Sequence, residues 1–187
     1  MRERPILFNG AMVRAILDGR KTVTRRVVKG MALDWLAEDM FTPEYVAKHS
    51  GLCPYGRRGD RLWVRETFAV YGDEKFAAIH YRADRPHDVG RKGVGYKPSI
   101  HMPRWACRIL LEITNVRVER LQDITEEQAE AEGVRACEHE LDPNGNGYSA
   151  TELLSILWSS LYGVDSYNAN PWIWVVEFKR LEVADAR

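Results

Sequence analysis

The chain has 187 residues, of which 45% are hydrophobic, 10% aromatic and 29% charged, and its 27 basic and 27 acidic side chains cancel. A chain of this length buries roughly 70% of its unfolded surface, which suffices for one domain with its own core and excludes a disordered polymer. The neutral balance argues against a generic polyanion binder, no apolar run nears the ~18 residues of a membrane span, and Met1-Arg2-Glu3-Arg4 leads into no signal-type apolar core.

Pro5-Ile6-Leu7-Phe8 reads as a short strand, and Asn9 as the cap of a helix with the apolar stripe Met12, Val13, Ile16 and Leu17, ended by Gly19. Residues 22–28 are β-branched and extended. Residues 30–56 hold one amphipathic turn around Trp35 and Leu36 and then loop through Pro43, Gly51, Pro54 and Gly56. Gly59-Asp60 turns into a strand over Leu62–Val70, and a second strand runs Phe76–Tyr81. Three prolines and three glycines make 83–104 a long loop, ahead of a strand over Trp105–Leu121. Thr125 with Gln128 three residues on is a capping box opening a short acidic helix. A polar loop covers 137–148, and Ser149 caps a helix with Leu153, Leu154, Leu157 and Leu161 on one face. Residues 172–181 form a final buried strand. Five or six strands and three helices without regular βαβ alternation predict an α+β fold, a small mixed barrel with peripheral helices.

Charge is segregated along this order. Residues 1–30 carry eight Lys/Arg and two acids, whereas 121–142 carry one Arg and eight acids. The pattern fits a local anion site, or two segments that pair in the fold. Metal sites fit poorly. His49 and Cys53, with Cys137 and His139, lack the paired CxxC spacing of structural zinc. Asp142-Pro-Asn144-Gly-Asn146-Gly147 imitates a calcium loop, but Leu153 stands where the bidentate Glu belongs, so a turn-rich loop is the reading. No metal or cofactor is expected. The three cysteines, few and odd in number, suit a reduced cytoplasmic protein and carry no nucleophile context.

The chemically dense stretch is Gly19-Arg20-Lys21-Thr22-Val23-Thr24-Arg25-Arg26. A helix-to-strand corner here would bring Lys21, Thr24 and Arg26 to a cavity mouth, although spacing alone favours a solvated basic edge. Positions 21 and 24 point to opposite faces of a regular strand, so convergence requires Lys21 to belong to the corner or a bulge to intervene.

This segment resembles the G-x-K-x-x-x-x-R signature of ASCH domains, a PUA-like superfamily. Gly59-Asp60-x-Leu62-x-Val64, Val116–Leu121 followed by Ile124-Thr125-Glu126-Glu127, and Trp174-Val175-Val176-Glu177-Phe178 match further pieces in order, over a little more than half the chain. The resemblance implies one domain over 1–187 with insertions at 27–56, 83–104 and 137–150, like the larger phage and prophage members. It also implies the pattern of the N4-acetylcytidine amidohydrolases, whose Lys, Thr and Glu fall on Lys21, Thr24 and Glu132, with Glu130 as the rival acid. The expected activity is therefore removal of an acyl group from N4-acylated cytidine or cytosine. Thr24 would be the nucleophile with Lys21 its base, or Glu132 would activate water beside a charged Lys21.

Trp63, Trp105, Trp172 and Tyr96 are candidate stacking platforms for a base, each equally readable as core. Arg26, Arg61 and Arg65 are candidates for sugar or phosphate contacts, or for ion pairs with the acidic helix. Arg26, Trp63, Arg65 and Glu66 are taken as the substrate-binding set. A nucleoside is the expected partner. A non-catalytic module reading RNA or a modified base, and a ribonuclease, are the alternatives.

Overall fold

The computed structural model describes residues 1–49, 51–71, 78–85, 87 and 95–182. Five strands, β1 (Glu3–Leu7), β2 (Val23–Val27), β3 (Arg61–Arg65), β6 (Leu110–Arg120) and β7 (Trp172–Arg180), form one mixed sheet in the order β1-β3-β6-β7-β2. β1 runs parallel to β3 and the remaining pairs are antiparallel. A separate pair joins β4 (Phe68–Tyr71) and β5 (Ala78–Tyr81). The α+β class stands, but the sheet is not a closed barrel: among the described residues no ladder joins its edge strands β1 and β2.

The helices are α1 (Gly10–Leu17), α2 (Met31–Ala37), α3 (Pro43–Lys48), α4 (Glu126–Ala131), α5 (Glu138–Leu141) and α6 (Ala150–Tyr162). Local chemistry sets the ends of the longer ones. The Asn9 side chain accepts from Met12 N, and reciprocal capping boxes at Thr125/Gln128 and Ser149/Glu152 satisfy the first N–H groups of α4 and α6. Inside the curl of the sheet, Ile6, Leu62, Val64, Leu111, Trp174 and Val176 pack on Val13 and Ile16 of α1 and on Leu153 and Leu154 of α6. The opposite face of β7 buries Ile173 and Val175 against Val23, Leu121 and Trp158. β7 is thus covered on both sides, as its near-continuous apolar run demands.

Several element boundaries differ from expectation. Residues 30–56 hold two helices, the second capped by Thr42 with Pro43 at its first position. The strand expected over Leu62–Val70 breaks at Glu66, whose N–H donates to Met102 Sδ and whose carboxylate Arg108 grips from a neighbouring segment. The strand expected over Phe76–Tyr81 is described from Ala78 onward, and residues 76 and 77 lie outside the described residues. β6 begins at Leu110, since Pro103 leads into a 3-10 turn over Arg104–Ala106. Further 3-10 turns at Arg82–Asp84 and Ser99–His101 punctuate the expected 83–104 loop, of which 86 and 88–94 lie outside the described residues. The 137–148 loop opens with α5. Its turn is closed by Asp142, which accepts from Asn146 Nδ2 at 2.7 Å and Gly147 N at 3.0 Å. Among the described residues no helix is long and apolar enough to cross a membrane, and no three His, Cys, Asp or Glu groups gather around a metal-sized point.

Candidate functional site

The site is built where α1, the edge of β2 and the end of α4 meet. α1 stops at Asp18 and Gly19 turns with φ +74°, a left-handed conformation that glycine adopts freely. Arg20 and Lys21 both donate their N–H to Ala15 O, so Lys21 belongs to the corner and β2 starts two residues later. Strand alternation therefore does not govern Lys21, and its side chain reaches the same cavity as Thr24.

β2 is an edge strand, and its outward polar groups need partners. The end of α4 supplies them. Thr22 N donates to Ala131 O at 3.0 Å, and Arg25 N donates to Glu132 Oε1 at 3.3 Å. The Lys21 ammonium donates to Val23 O at 2.7 Å, Glu132 O at 2.7 Å and Glu132 Oε1 at 2.9 Å. Arg25 Nη1 completes the cluster at 3.1 Å from Glu132 Oε2. One buried carboxylate thus holds two buried cations. Glu130, the rival acid, is solvent-exposed. Gly133 follows Glu132 with φ +83°, and a Cβ there would lie 3.0 Å from Lys21 Cβ, so the turn is confined to glycine by conformation and by space.

Burial pushes the Lys21 pKa down, aided by Arg26 and Arg25, and Glu132 only partly offsets this. Burial alone would raise the Glu132 carboxyl, but Lys21 and Arg25 together hold it below its ordinary range, so it is ionised. The opposite charges of the 1–30 and 121–142 segments do pair here, and they pair at a cavity.

That cavity has a volume of about 290 Å³, near the lower end for small-molecule sites. Lys21, Thr24, Glu132 and Arg26 line it with Phe8, Asn9 and Met12, and Leu157, Leu161 and Tyr162 of α6 form the opposite wall. Lys21 Nζ and the Arg26 guanidinium lie 5.3 Å and 5.5 Å from the Phe8 ring centre. Arg26 donates to Arg25 O and, across the gap between the two sheet edges, to Leu7 O at 3.1 Å. The Thr24 Oγ1 atom is buried and has no hydrogen-bond partner. It is the polar atom of the trio with its bonding capacity unspent.

Of the expected substrate-binding set, Arg26 reaches this cavity, whereas Trp63, Arg65 and Glu66 do not line it. Leu62 and Val64 face the core, so alternation turns Trp63 and Arg65 away. The Arg65 guanidinium instead lies 5.4 Å from the Trp63 ring and donates to Ile100 O. Glu66 is buried in a separate ion cluster, gripped at 2.8 and 2.9 Å by Arg108, which also holds Asp84 and covers the Tyr81 ring. The other platform candidates are elsewhere as well. Trp105 is 65% exposed, Trp172 packs under Arg120, and Tyr96 lies against Arg82. Phe8 and Tyr162 are the aromatic groups at the site. Phe8 stands directly before the Asn9 cap, but nothing in the order of residues linked Tyr162 to it. Burial pushes the Cys137 thiol up to about 11, which leaves it without thiolate character.

No family model matches the chain, and no curated protein matches it. Among solved structures, the chain is similar to the crystal structure of protein EF3133 from Enterococcus faecalis V583, of the family model DUF984. The two share 11% identity with a TM-score of 0.39, over 97% of this chain and 81% of that one, a likeness too weak to carry an argument. The resemblance to ASCH domains rests on the residues quoted above.

Proposed function

We propose that the protein is a hydrolase of the ASCH, PUA-like kind that removes an acyl group from N4 of a cytidine-like nucleoside in the Lys21–Thr24–Glu132 cavity. The observation that carries this reading is the convergence of an amine, a hydroxyl and a carboxylate on one cavity, with the hydroxyl oxygen buried and unpartnered. A buried hydroxyl without a protein partner is costly unless a ligand or a water satisfies it.

In the proposed chemistry, Thr24 Oγ attacks the acyl carbon and its proton passes to the Lys21 amine. Burial shifts the Lys21 equilibrium toward the neutral amine. Lys21 then delivers that proton to N4 as the carbon–nitrogen bond breaks. Water hydrolyses the acyl-threonine, which frees the carboxylic acid and restores the hydroxyl. Arg26, whose guanidinium bonds backbone carbonyls and lines the cavity, faces the developing oxyanion. Glu132 stays ionised and fixes the direction of Lys21 Nζ.

Incubation with N4-acetylcytidine, followed by loss of the acylated chromophore, tests the proposal. Lys21→Ala and Thr24→Ala abolish turnover with the fold retained, and Thr24→Ser keeps a measurable fraction of it. Full turnover in Thr24→Ala rejects the threonine as nucleophile. One observation favours a second reading, a module that binds a modified base without hydrolysing it: all three ammonium protons of Lys21 already have acceptors. Binding of N4-acetylcytidine with no product over long incubation selects that reading.

A further inference from the structure

The segment 27–56 does more than extend the fold. With β2 and β7 it walls a second cavity of about 420 Å³ that adjoins the first and shares Arg26 and Tyr162 with it. Lys29, Tyr55 and the buried Trp174 line the remainder, together with Leu52 and Pro54. Among the described residues no carboxylate lines this second space. Two N–H groups of the Arg26 guanidinium bond the carbonyls of Arg25 and Leu7, and Lys29, which is exposed, has no ion pair among the described residues. In the first cavity Glu132 offsets the cations. In the second, Lys29 stands without an ion pair, and Arg26, which Glu132 attracts from the first cavity, lies with it beside two phenols and an indole.

Cations next to aromatic surface, with no carboxylate among the lining residues, suit an anion attached to a flat or sugar-like body. A ligand whose base sits by Thr24 and that extends past Arg26 would enter this compartment. We propose that the second cavity takes a phosphate esterified to the sugar of the acylated pyrimidine, so that the substrate is a nucleotide rather than a free nucleoside. The inference rests on the hydrolytic reading for the base end alone. Its chemistry is common to a mononucleotide and to an RNA strand. Lys29 acts as a specificity residue outside the reacting atoms.

The test compares kcat/KM for N4-acetylcytidine, its 5′- and 3′-monophosphates, and a trinucleotide with central N4-acetylcytidine, each with the unaltered protein and with Lys29→Ala. One of the monophosphates exceeds the nucleoside by about tenfold, the scale of one charged hydrogen bond, and added salt erodes the gain. Lys29→Ala removes most of that gain and leaves nucleoside turnover unchanged. Equal values for nucleoside and both nucleotides, or a gain that survives Lys29→Ala, overturn the proposal. A trinucleotide better than the mononucleotide assigns the phosphate to RNA, and a worse one assigns it to a free nucleotide. A binding arm separates this inference from the hydrolytic reading: calorimetric Kd values for cytidine and its monophosphates need no turnover. Tighter binding of a monophosphate that Lys29→Ala abolishes, without any hydrolysis, keeps the phosphate site and rejects the hydrolase. Hydrolysis of the nucleoside with no phosphate effect does the reverse.

Discussion

At the scale of single residues, Lys21 is where the two readings of the chemistry part. Its folded pKa is depressed mainly by burial, and Glu132 does not fully restore it. If its amine accepts the Thr24 proton, kcat rises with pH through this depressed pKa and levels off below the ordinary lysine value of about 10.4. If instead its ammonium faces the oxyanion, kcat falls across the same window. A pH–rate profile on N4-acetylcytidine is expected to show the rise, and a fall reassigns Lys21 to oxyanion binding. Lys21 and Thr24 stand within four positions in the sequence, whereas Glu132 was linked to them only through the family resemblance. Phe8 and Tyr162 were not legible, because they join the site only when distant elements pack around one gap. Trp63 and Arg65 looked suitable by type, but they share the strand face opposite the buried Leu62 and Val64.

At the scale of elements, the end of α4 is both a seal on a sheet edge and a mount for the acid. Gly133 joins these duties, since its φ of +83° and the 3.0 Å approach to Lys21 Cβ both exclude a side chain. Gly133→Ala is expected to cost about 1–2 kcal/mol for the left-handed backbone and to lower turnover by displacing Lys21. Gly59→Ala, with φ +84° and nothing near the added carbon, carries the strain without the contact. Thermal melts and turnover of both variants check this: equal activity in the two would mean that Gly133 acts through strain alone. Caps written locally, at Asn9, Thr125 and Ser149, made three of the helices readable, because each needs only a side chain and an N–H two or three residues away. α3 also had its signal in Thr42-Pro43, but six residues leave no apolar period to detect. The break at Glu66 left one local mark, a carboxylate on the apolar phase Leu62–Val64–Phe68–Val70, but the deciding partner, Arg108, lies 42 positions on.

At the scale of the whole molecule, the Lys21–Glu132–Arg25 cluster ties the helical layer to the sheet. Its side chains are 1%, 8% and 1% exposed, so solvent screens it little. Glu132→Gln leaves two buried cations without their counter-charge and is expected to lower the unfolding free energy at neutral pH by about 3–5 kcal/mol. Because the folded pKa of Glu132 is depressed, its contribution is complete above its unfolded value of about 4.3 and is lost as pH falls through the folded one. Urea unfolding across acidic and neutral pH should show a larger loss in the unaltered protein than in Glu132→Gln, where Asp60, Glu126 and Asp142 still lose their folded-state advantage in acid. A variant as stable as the parent at pH 7 would show that the cluster does not brace the fold. The α+β class followed from element order, but the expected closure did not, since closure depends on how far a sheet curls and no local pattern records that.

The gap between the sheet's outer strands has a mechanical meaning. Where a ladder of main-chain bonds would fasten them rigidly, one guanidinium reaching from Arg26 to the Leu7 carbonyl does the fastening. That clasp is an exposed side-chain bond on the same guanidinium that lines the cavity, so an arriving anion meets the group that spans the two edges.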